Sequence, residues 1–337
     1  MALIQVNNFA STGGGNATRS SLFLTMLFKN FLTYLYFYFR PFIKWFLRRF
    51  TRLCELQRIC YGSPAGAART RQVEMSLQLS RRREIREMMN ILDNEVEHCS
   101  EYELRELVKK MVMTVMMAKK IKPRNHPDFA RLFGECVEQI WGYRRLICIV
   151  EAIRTDQYDP DNLNNEKKLF QLWSLLMPDD RLESRITKQW QDIGFQGDDP
   201  KTDFRGMGLL GLENLLFFSS EYNSAARHVL SHSHHPNHGY TFAIVGINLT
   251  SMAYRLVKAG KAKTHFYNIT RRAPRIEHFH KFYCYLFFEF DRFWISSKPK
   301  SIMDFSIIQE KFERNILSVL DEDSTVFKMN NLVVEHI

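Results

Sequence analysis

Apolar residues recur at intervals of three and four along most of this 337-residue chain, and no two-residue alternation lasts long enough to make a strand. That pattern restricts the fold to helices. Arg81–His98 places Ile85, Met88, Met89, Leu92 and Val96 on one stripe of an amphipathic helix. Tyr102–Ile121 carries Met111, Met113, Met116 and Met117, read as adaptable core, and Pro123 and Pro127 end it. Asp128–Arg154 repeats the pattern through Phe129, Leu132, Phe133, Val137, Ile140 and Leu146. Asn165–Met177 stops at Pro178, and Thr241–Ala259 closes on Gly260. Arg275–Trp294 carries Phe279, Phe282, Leu286, Phe290 and Phe293, and Asp304–Leu320 is the last periodic segment. There is no internal repeat. The expected class is all-α.

Charge divides the chain. The net charge is +10, yet residues 1–90 hold 14 Lys or Arg against 4 Asp or Glu, and residues 91–337 hold 33 of each. A neutral domain with a basic N-terminal attachment does not carry the footprint of a general nucleic-acid binder. The six cysteines, Cys54, Cys60, Cys99, Cys136, Cys148 and Cys284, form no C-x-x-C pair, and Cys136 and Cys148 fall in apolar helical patterns. They read as reduced, buried thiols of a protein facing the cytosol.

The attachment has the character of a membrane device. Leu22–Phe39 is about one bilayer crossing long, interrupted by Lys29, Asn30 and two threonines, and no acid precedes Glu55. Beyond it Arg40, Lys44, Arg48, Arg49 and Arg52 interleave with Phe42, Ile43, Trp45, Phe46, Leu47 and Phe50, as suits an interface helix on anionic lipid. Spanning and lying flat both fit, and a buried core helix is the plainer alternative. The domain plan is a disordered stretch over residues 1–20 and a hydrophobic, basic membrane-associating segment over 21–60. A linker follows over 61–80, a helical lead-in over 81–125, the main helical domain over 126–322 and a tail over 323–337.

Functional chemistry concentrates between Trp190 and Phe218. Gly194, Gly197, Pro200 and Gly206 fall within thirteen residues, too many breakers for a continuous helix. Leu209, Leu212, Leu215, Leu216 and Phe217 then resume helical spacing, so Arg205 lies where a loop enters a buried helix. Two readings of Arg205 stand side by side. One is a structural arginine paired with Asp198, Asp199 or Asp203. The other is a guanidinium offered to another protein's nucleotide, where it would stabilise charge on a transferring phosphoryl group.

Other candidates are weaker. His232, His234, His235 and His238 crowd into one polar segment, but no carboxylate or cysteine stands nearby at zinc spacing, so a surface loop and no metal site are expected. Asp198 and Asp199 could be a paired acid and base, though adjacent loop acids commonly cap helices. No nucleophile elbow, P-loop or dinucleotide fingerprint is present, and a self-contained catalytic site is not expected.

The longest signature settles what spacing leaves open. Trp190-x-x-Ile193-Gly194-Phe195-Gln196, followed by Pro200-x-Thr202-Asp203-Phe204-Arg205-Gly206-x-Gly208-x-x-x-Leu212, resembles the ELMO domain. Cys54–Tyr61, Ala243–Asn248 and Thr264–Asn268 extend the likeness over most of the chain after residue 50. It is nearest to ELMO domain-containing proteins that act as GTPase-activating proteins for Arf-family and Arf-like GTPases. The resemblance implies a helical domain in which Arg205 is the catalytic arginine finger. It also implies a GTPase-binding loop shaped by Gln196, Asp199, Pro200, Thr202, Asp203, Gly194, Gly206 and Gly208, with Trp190, Phe195 and Phe204 pinning it to the core. The chain would need no cofactor of its own, since the partner GTPase brings GTP and Mg²⁺. The armadillo repeats, PH domain and proline-rich tail of the larger engulfment-type ELMO proteins have no counterpart here, which weakens a Dock-scaffold role.

The expectation is therefore an activator that completes a GTPase site in trans on the cytosolic face of an intracellular membrane. A non-catalytic adaptor that tethers an active GTPase, and a purely structural domain with Arg205 buried in an ion pair, remain the alternatives.

Overall fold

The computed structural model describes residues 38–329, together with Phe31 and Leu35. The expected disordered stretch 1–20, most of Leu22–Phe37 and the end of the tail lie outside the described residues. The chain forms two units, one up to Arg58 and one from Ile59 onward. Among the described residues every regular element is helical, and no helix is long and apolar enough to cross a membrane.

In the first unit, residues 38–51 are helical (α1), and α2 (Glu55–Gly62) begins after a break at Arg52, which sits at φ 57°. Glu55 gathers two of the basic residues: Arg40 Nη2 donates to both of its carboxylate oxygens at 3.0 and 3.1 Å, and Lys44 Nζ lies 2.5 Å away. Phe42, Phe46 and Phe50 follow one another at one-turn spacing, with ring centroids 6.5 and 4.5 Å apart, and all three are exposed.

The second unit opens with α3 (Ala67–Gln78), where the sequence reads as a linker. The composition misled because the polar residues of this segment are buried partners, not solvated coil. The Ala67 N–H donates to Asn268 Oδ1 at 2.8 Å, Thr70 Oγ1 donates to Gln139 Oε1 at 2.5 Å, and Glu74 pairs with Lys263 Nζ at 2.7 Å. Such partners are some 70 to 200 residues distant, which no local pattern reveals. α4 (Arg83–Glu95) and α5 (Glu101–Lys119) follow and pack against each other. α5 starts at a capping box: Ser100 Oγ accepts the Glu103 N–H at 3.2 Å, and Glu103 accepts the Ser100 N–H at 2.7 Å.

α6 (Phe129–Thr155) runs 27 residues, packing on α3, α5 and α8. After α7 (Leu163–Leu176) and the loop, α8 (Gly208–Glu221) lies at the centre, against α6, α7, α9 (Asn223–Ser233), α10 (Phe242–Lys258) and α12 (Ile276–Ser297). Its composition explains the position: Leu209, Leu210, Leu212, Leu215 and Phe218 are all buried, and each contributes about 1.5–3 kcal/mol by leaving water. Its one deeply buried amide is satisfied. Asn214 Nδ2 donates to Thr250 Oγ1 at 3.0 Å, and Asn214 Oδ1 accepts from His280 Nδ1 at 2.7 Å. α10 approaches closely because position 246 is glycine; a Cβ there would stand 2.5 Å from Leu215 Cδ2. α11 (Lys263–Ile269) and α13 (Phe305–Leu320) complete the unit.

Candidate functional site

The loop between α7 and α8 is held from below by a file of aromatic rings. Trp173, Trp190, Phe195, Phe204 and Tyr158 follow one another with centroid separations of 5.5, 5.8, 5.6 and 5.7 Å, all buried. Offset and edge-to-face packing of this kind adds roughly 0.5–1.5 kcal/mol per pair beyond burial. The Trp190 indole N–H donates to the Arg185 carbonyl at 2.8 Å, so the largest ring is fixed at both ends.

Two short 3-10 turns carry the polar residues over this floor. The first, Lys188–Ile193, ends at Gly194, whose φ of 83° lies in the left-handed region. A Cβ at 194 would come within 2.2 Å of the Phe242 backbone nitrogen, so glycine is demanded by both dihedral and space. The Gly194 carbonyl accepts the Ile244 N–H at 3.2 Å, tying the loop to the first turn of α10. The second turn, Pro200–Arg205, begins with Pro200 in its first position and Asp199 as cap, accepting the Lys201 N–H at 3.1 Å. Asp199 is also gripped by Arg185, with Nη1–Oδ1 at 2.9 Å and Nη2–Oδ2 at 3.3 Å. The turn leads into α8 through Gly208, at φ 52°, where a Cβ would meet the Arg154 and Asp156 carbonyls at 2.3 Å.

Asp203 accepts the Gln196 N–H at 2.9 Å, bracing one turn against the other. Burial pushes its carboxyl up, against the opposing pulls of that N–H and of the neighbouring Arg205 charge. Asp198 accepts from Gln191 Nε2 at 3.2 Å. All three acids thus hydrogen-bond to other groups, and Asp203 in addition feels the Arg205 charge.

Arg205 itself is exposed, at the end of a turn whose Phe204 is fully buried. Among the described residues its guanidinium takes part in no hydrogen bond or ion pair. Gln196, Lys201, Thr202 and Gly206 are exposed beside it in sequence. The arrangement is an anchored platform that presents two cations, Arg205 and Lys201, neither of them in an ion pair among the described residues.

The fold adds a group that spacing did not reveal. Arg154, in the last turn of α6, reaches the Gly206 carbonyl with Nη1 at 3.4 Å while Nη2 holds Glu151 Oε1 at 2.7 Å. Its guanidinium lies 5.1 Å from the Tyr254 ring centroid, and Tyr254 donates to Glu151. Hydrogen bonds from Arg154 and Tyr254 hold the Glu151 carboxyl down at about 2. Glu151 and Arg154 are a local pair three residues apart on α6. Their link to the loop and that of Arg185 carried no sequence signal, because Tyr254 comes from α10 and Gly206 and Asp199 from farther along the chain.

Residues 148–309 match the family model described as ELMO/CED-12. Over 283 residues the chain is 48% identical to ELMO domain-containing protein 2 of Bos taurus, covering 84% of this chain and 92% of that protein. The chain belongs to the ELMO/CED-12 family. Within the family it is 44% identical to mouse ELMO domain-containing protein 1 over 295 residues, covering 82% of this chain and 87% of that one. It is 33% identical to ELMO domain-containing protein B of Dictyostelium discoideum over 274 residues, covering 81% and 92%. The platform of Trp190, Phe195, Phe204 and Arg205 therefore belongs to the ELMO domain, as do Glu151, Arg154 and Arg185.

Residues 234–238 form the expected surface turn, and His232 departs from it. His232 lies in the last turn of α9 and bonds Asp291 Oδ2 at 2.7 Å, a partner supplied from α12. His234 Nε2 meets the Asp192 carbonyl at 2.7 Å, which links this segment to the loop before Arg205.

Proposed function

We propose that this ELMO protein is a GTPase-activating protein for a small GTPase of the Arf or Arf-like kind, with Arg205 as the arginine it inserts in trans. The observation that carries the reading is an exposed guanidinium outside any ion pair, on a turn anchored by the buried Phe204 and by the Asp203–Gln196 hydrogen bond. A finger has to be unneutralised to stabilise charge on the transferring phosphoryl group, and it has to be preorganised to lose little entropy on docking. Arginine suits the task through its planar fork of donors, which lysine lacks. Such a residue is worth ~10³–10⁵ in rate, or roughly 4–7 kcal/mol of barrier. GTP, Mg²⁺ and the attacking water belong to the partner. Gln196, Lys201, Thr202 and the Arg154–Glu151 group would border the docked switch loops, while Gly194, Asp199, Pro200, Asp203, Gly206 and Gly208 set the shape of the loop.

The N-terminal unit would bring the activator to a cytosolic membrane face. Arg40 and Lys44 are drawn to Glu55, but Arg48, Arg49 and Arg52 stay exposed beside Phe42, Trp45, Phe46 and Phe50. That is the composition of a helix lying in an anionic interface.

Single-turnover GTP hydrolysis by a panel of purified Arf and Arf-like GTPases, with and without the protein, tests the activity. Stimulation of a subset is expected. GTP-dependent binding that leaves every rate unchanged would instead make the protein an adaptor.

A further inference from the structure

His228 and His232 stand one turn apart on α9, and Asp291 on α12 reaches the same place. One imidazole nitrogen from each histidine and one carboxylate oxygen lie within 4.8 Å of one another. The imidazole centroids are 4.1 Å apart, and His232 Nδ1 is 2.7 Å from Asp291 Oδ2. A tetrahedral ion with nitrogen and oxygen ligands at about 2.0–2.2 Å needs donor atoms roughly 3.4 Å apart, so the 2.7 Å His232–Asp291 pair would open and the wider separations close by about an ångström.

The surroundings are those of a built site. Asp291 is fully buried, and its second oxygen, Oδ1, accepts the Tyr240 hydroxyl at 2.6 Å, which turns Oδ2 toward the histidines. An outer-shell donor that orients a ligating carboxylate is a regular feature of metal centres. His228 and His232 are partly exposed, so an ion has a path from solvent.

We propose that His228, His232 and Asp291 form a zinc-binding site, with a fourth position open to water. Two imidazoles and one carboxylate select zinc and its borderline neighbours over calcium or magnesium, which prefer oxygen-only shells. The ion would staple α9 to α12 and, through Tyr240, fix the turn that carries His234. The other histidines are not part of it. His235 Nδ1 accepts the Asn237 and His238 N–H groups at 3.2 and 3.1 Å, and His238 Nδ1 meets the Pro299 carbonyl at 2.9 Å.

The test is competition of the untagged, chelator-stripped full chain with a chromophoric zinc indicator, titrated with zinc chloride. One zinc per chain is expected. His228→Ala should weaken binding by at least ~100-fold, more than Tyr240→Phe, whose outer-shell role places it at about 10–100-fold. His235→Ala should leave binding unchanged. Circular dichroism verifies the fold, and His228→Ala is the deciding variant because it spares the Tyr240–Asp291 bond. Cobalt substitution gives a second readout: a tetrahedral visible band in the wild type that His228→Ala removes. Absence of stoichiometric zinc, wild-type affinity in His228→Ala, or loss in His235→Ala would overturn the proposal.

Discussion

Gly194→Ala and Gly197→Ala are identical changes three residues apart, and the structure assigns them opposite outcomes. At 194 the backbone is left-handed, which costs an L-residue roughly 1–2 kcal/mol. The added Cβ also lands 2.2 Å from the Phe242 nitrogen and 2.7 Å from the Thr241 carbonyl carbon. These are backbone atoms of the entrance to α10, so relief requires moving a helix end, a further ~1–3 kcal/mol by analogy with overpacked cores. Gly194→Ala should therefore lose about 2–5 kcal/mol and the Ile244–Gly194 hydrogen bond with it. At 197 an added Cβ meets nothing within 4 Å, and the same substitution should be neutral or stabilising by up to about 1 kcal/mol through the unfolded chain. Urea unfolding followed by tryptophan fluorescence measures both, since Trp173 and Trp190 lie in the aromatic file. Equal midpoints for the two variants would refute the claim that this loop is pinned at Gly194.

Asp199→Ala should cost about 1–3 kcal/mol, more than Arg185→Ala, because Asp199 is cap and ion-pair partner at once; a double-mutant cycle should give a coupling of roughly 0.5–1 kcal/mol, and zero coupling would deny the pair a role. Acid should destabilise the protein through His265, which is fully buried among Phe266, Phe282 and Phe327 and accepts the Phe327 N–H with Nδ1 at 3.0 Å. Burial lowers its pKa to about 3, below the ordinary value, so the unfolded chain takes up a proton first as pH falls. Stability is complete above about pH 6.5 and falls by roughly 1.4 kcal/mol per unit toward pH 3. The urea midpoint of His265→Asn should fall less steeply over that window, and an unchanged slope would clear His265. Trp45 is 64% exposed while Trp141, Trp173, Trp190 and Trp294 are buried, so a blue shift on adding anionic vesicles should disappear in Trp45→Phe and shrink with salt; no shift in the wild type would count against the membrane helix.

The helices that rest on local periodicity were legible in the sequence. The segment read over Tyr102–Ile121 is observed as Glu101–Lys119, and that over Asp304–Leu320 as Phe305–Leu320. α3 and α9 escaped because Thr70 and Glu74 are polar residues buried against distant partners and His232 finds its partner on α12. The same limit applies to the loop. Its breakers were visible, but only close approach separates Gly194 and Gly208, which the backbone requires, from Gly197 and Gly206, which stand in open space. Arg205 could be singled out from its neighbours in sequence. That Asp199 pairs with Arg185, and not with Arg205, depends on a residue fourteen positions earlier, whose direction no spacing specifies.

The central claim is tested most directly by single-turnover GTP hydrolysis on a responsive GTPase with wild type, Arg205→Ala and Arg205→Lys. The exposed, unpaired side chain predicts that both variants unfold at the wild-type urea midpoint, within about 0.5 kcal/mol, while stimulation falls by ~10³-fold or more. Full stimulation by a folded Arg205→Ala protein would contradict the account.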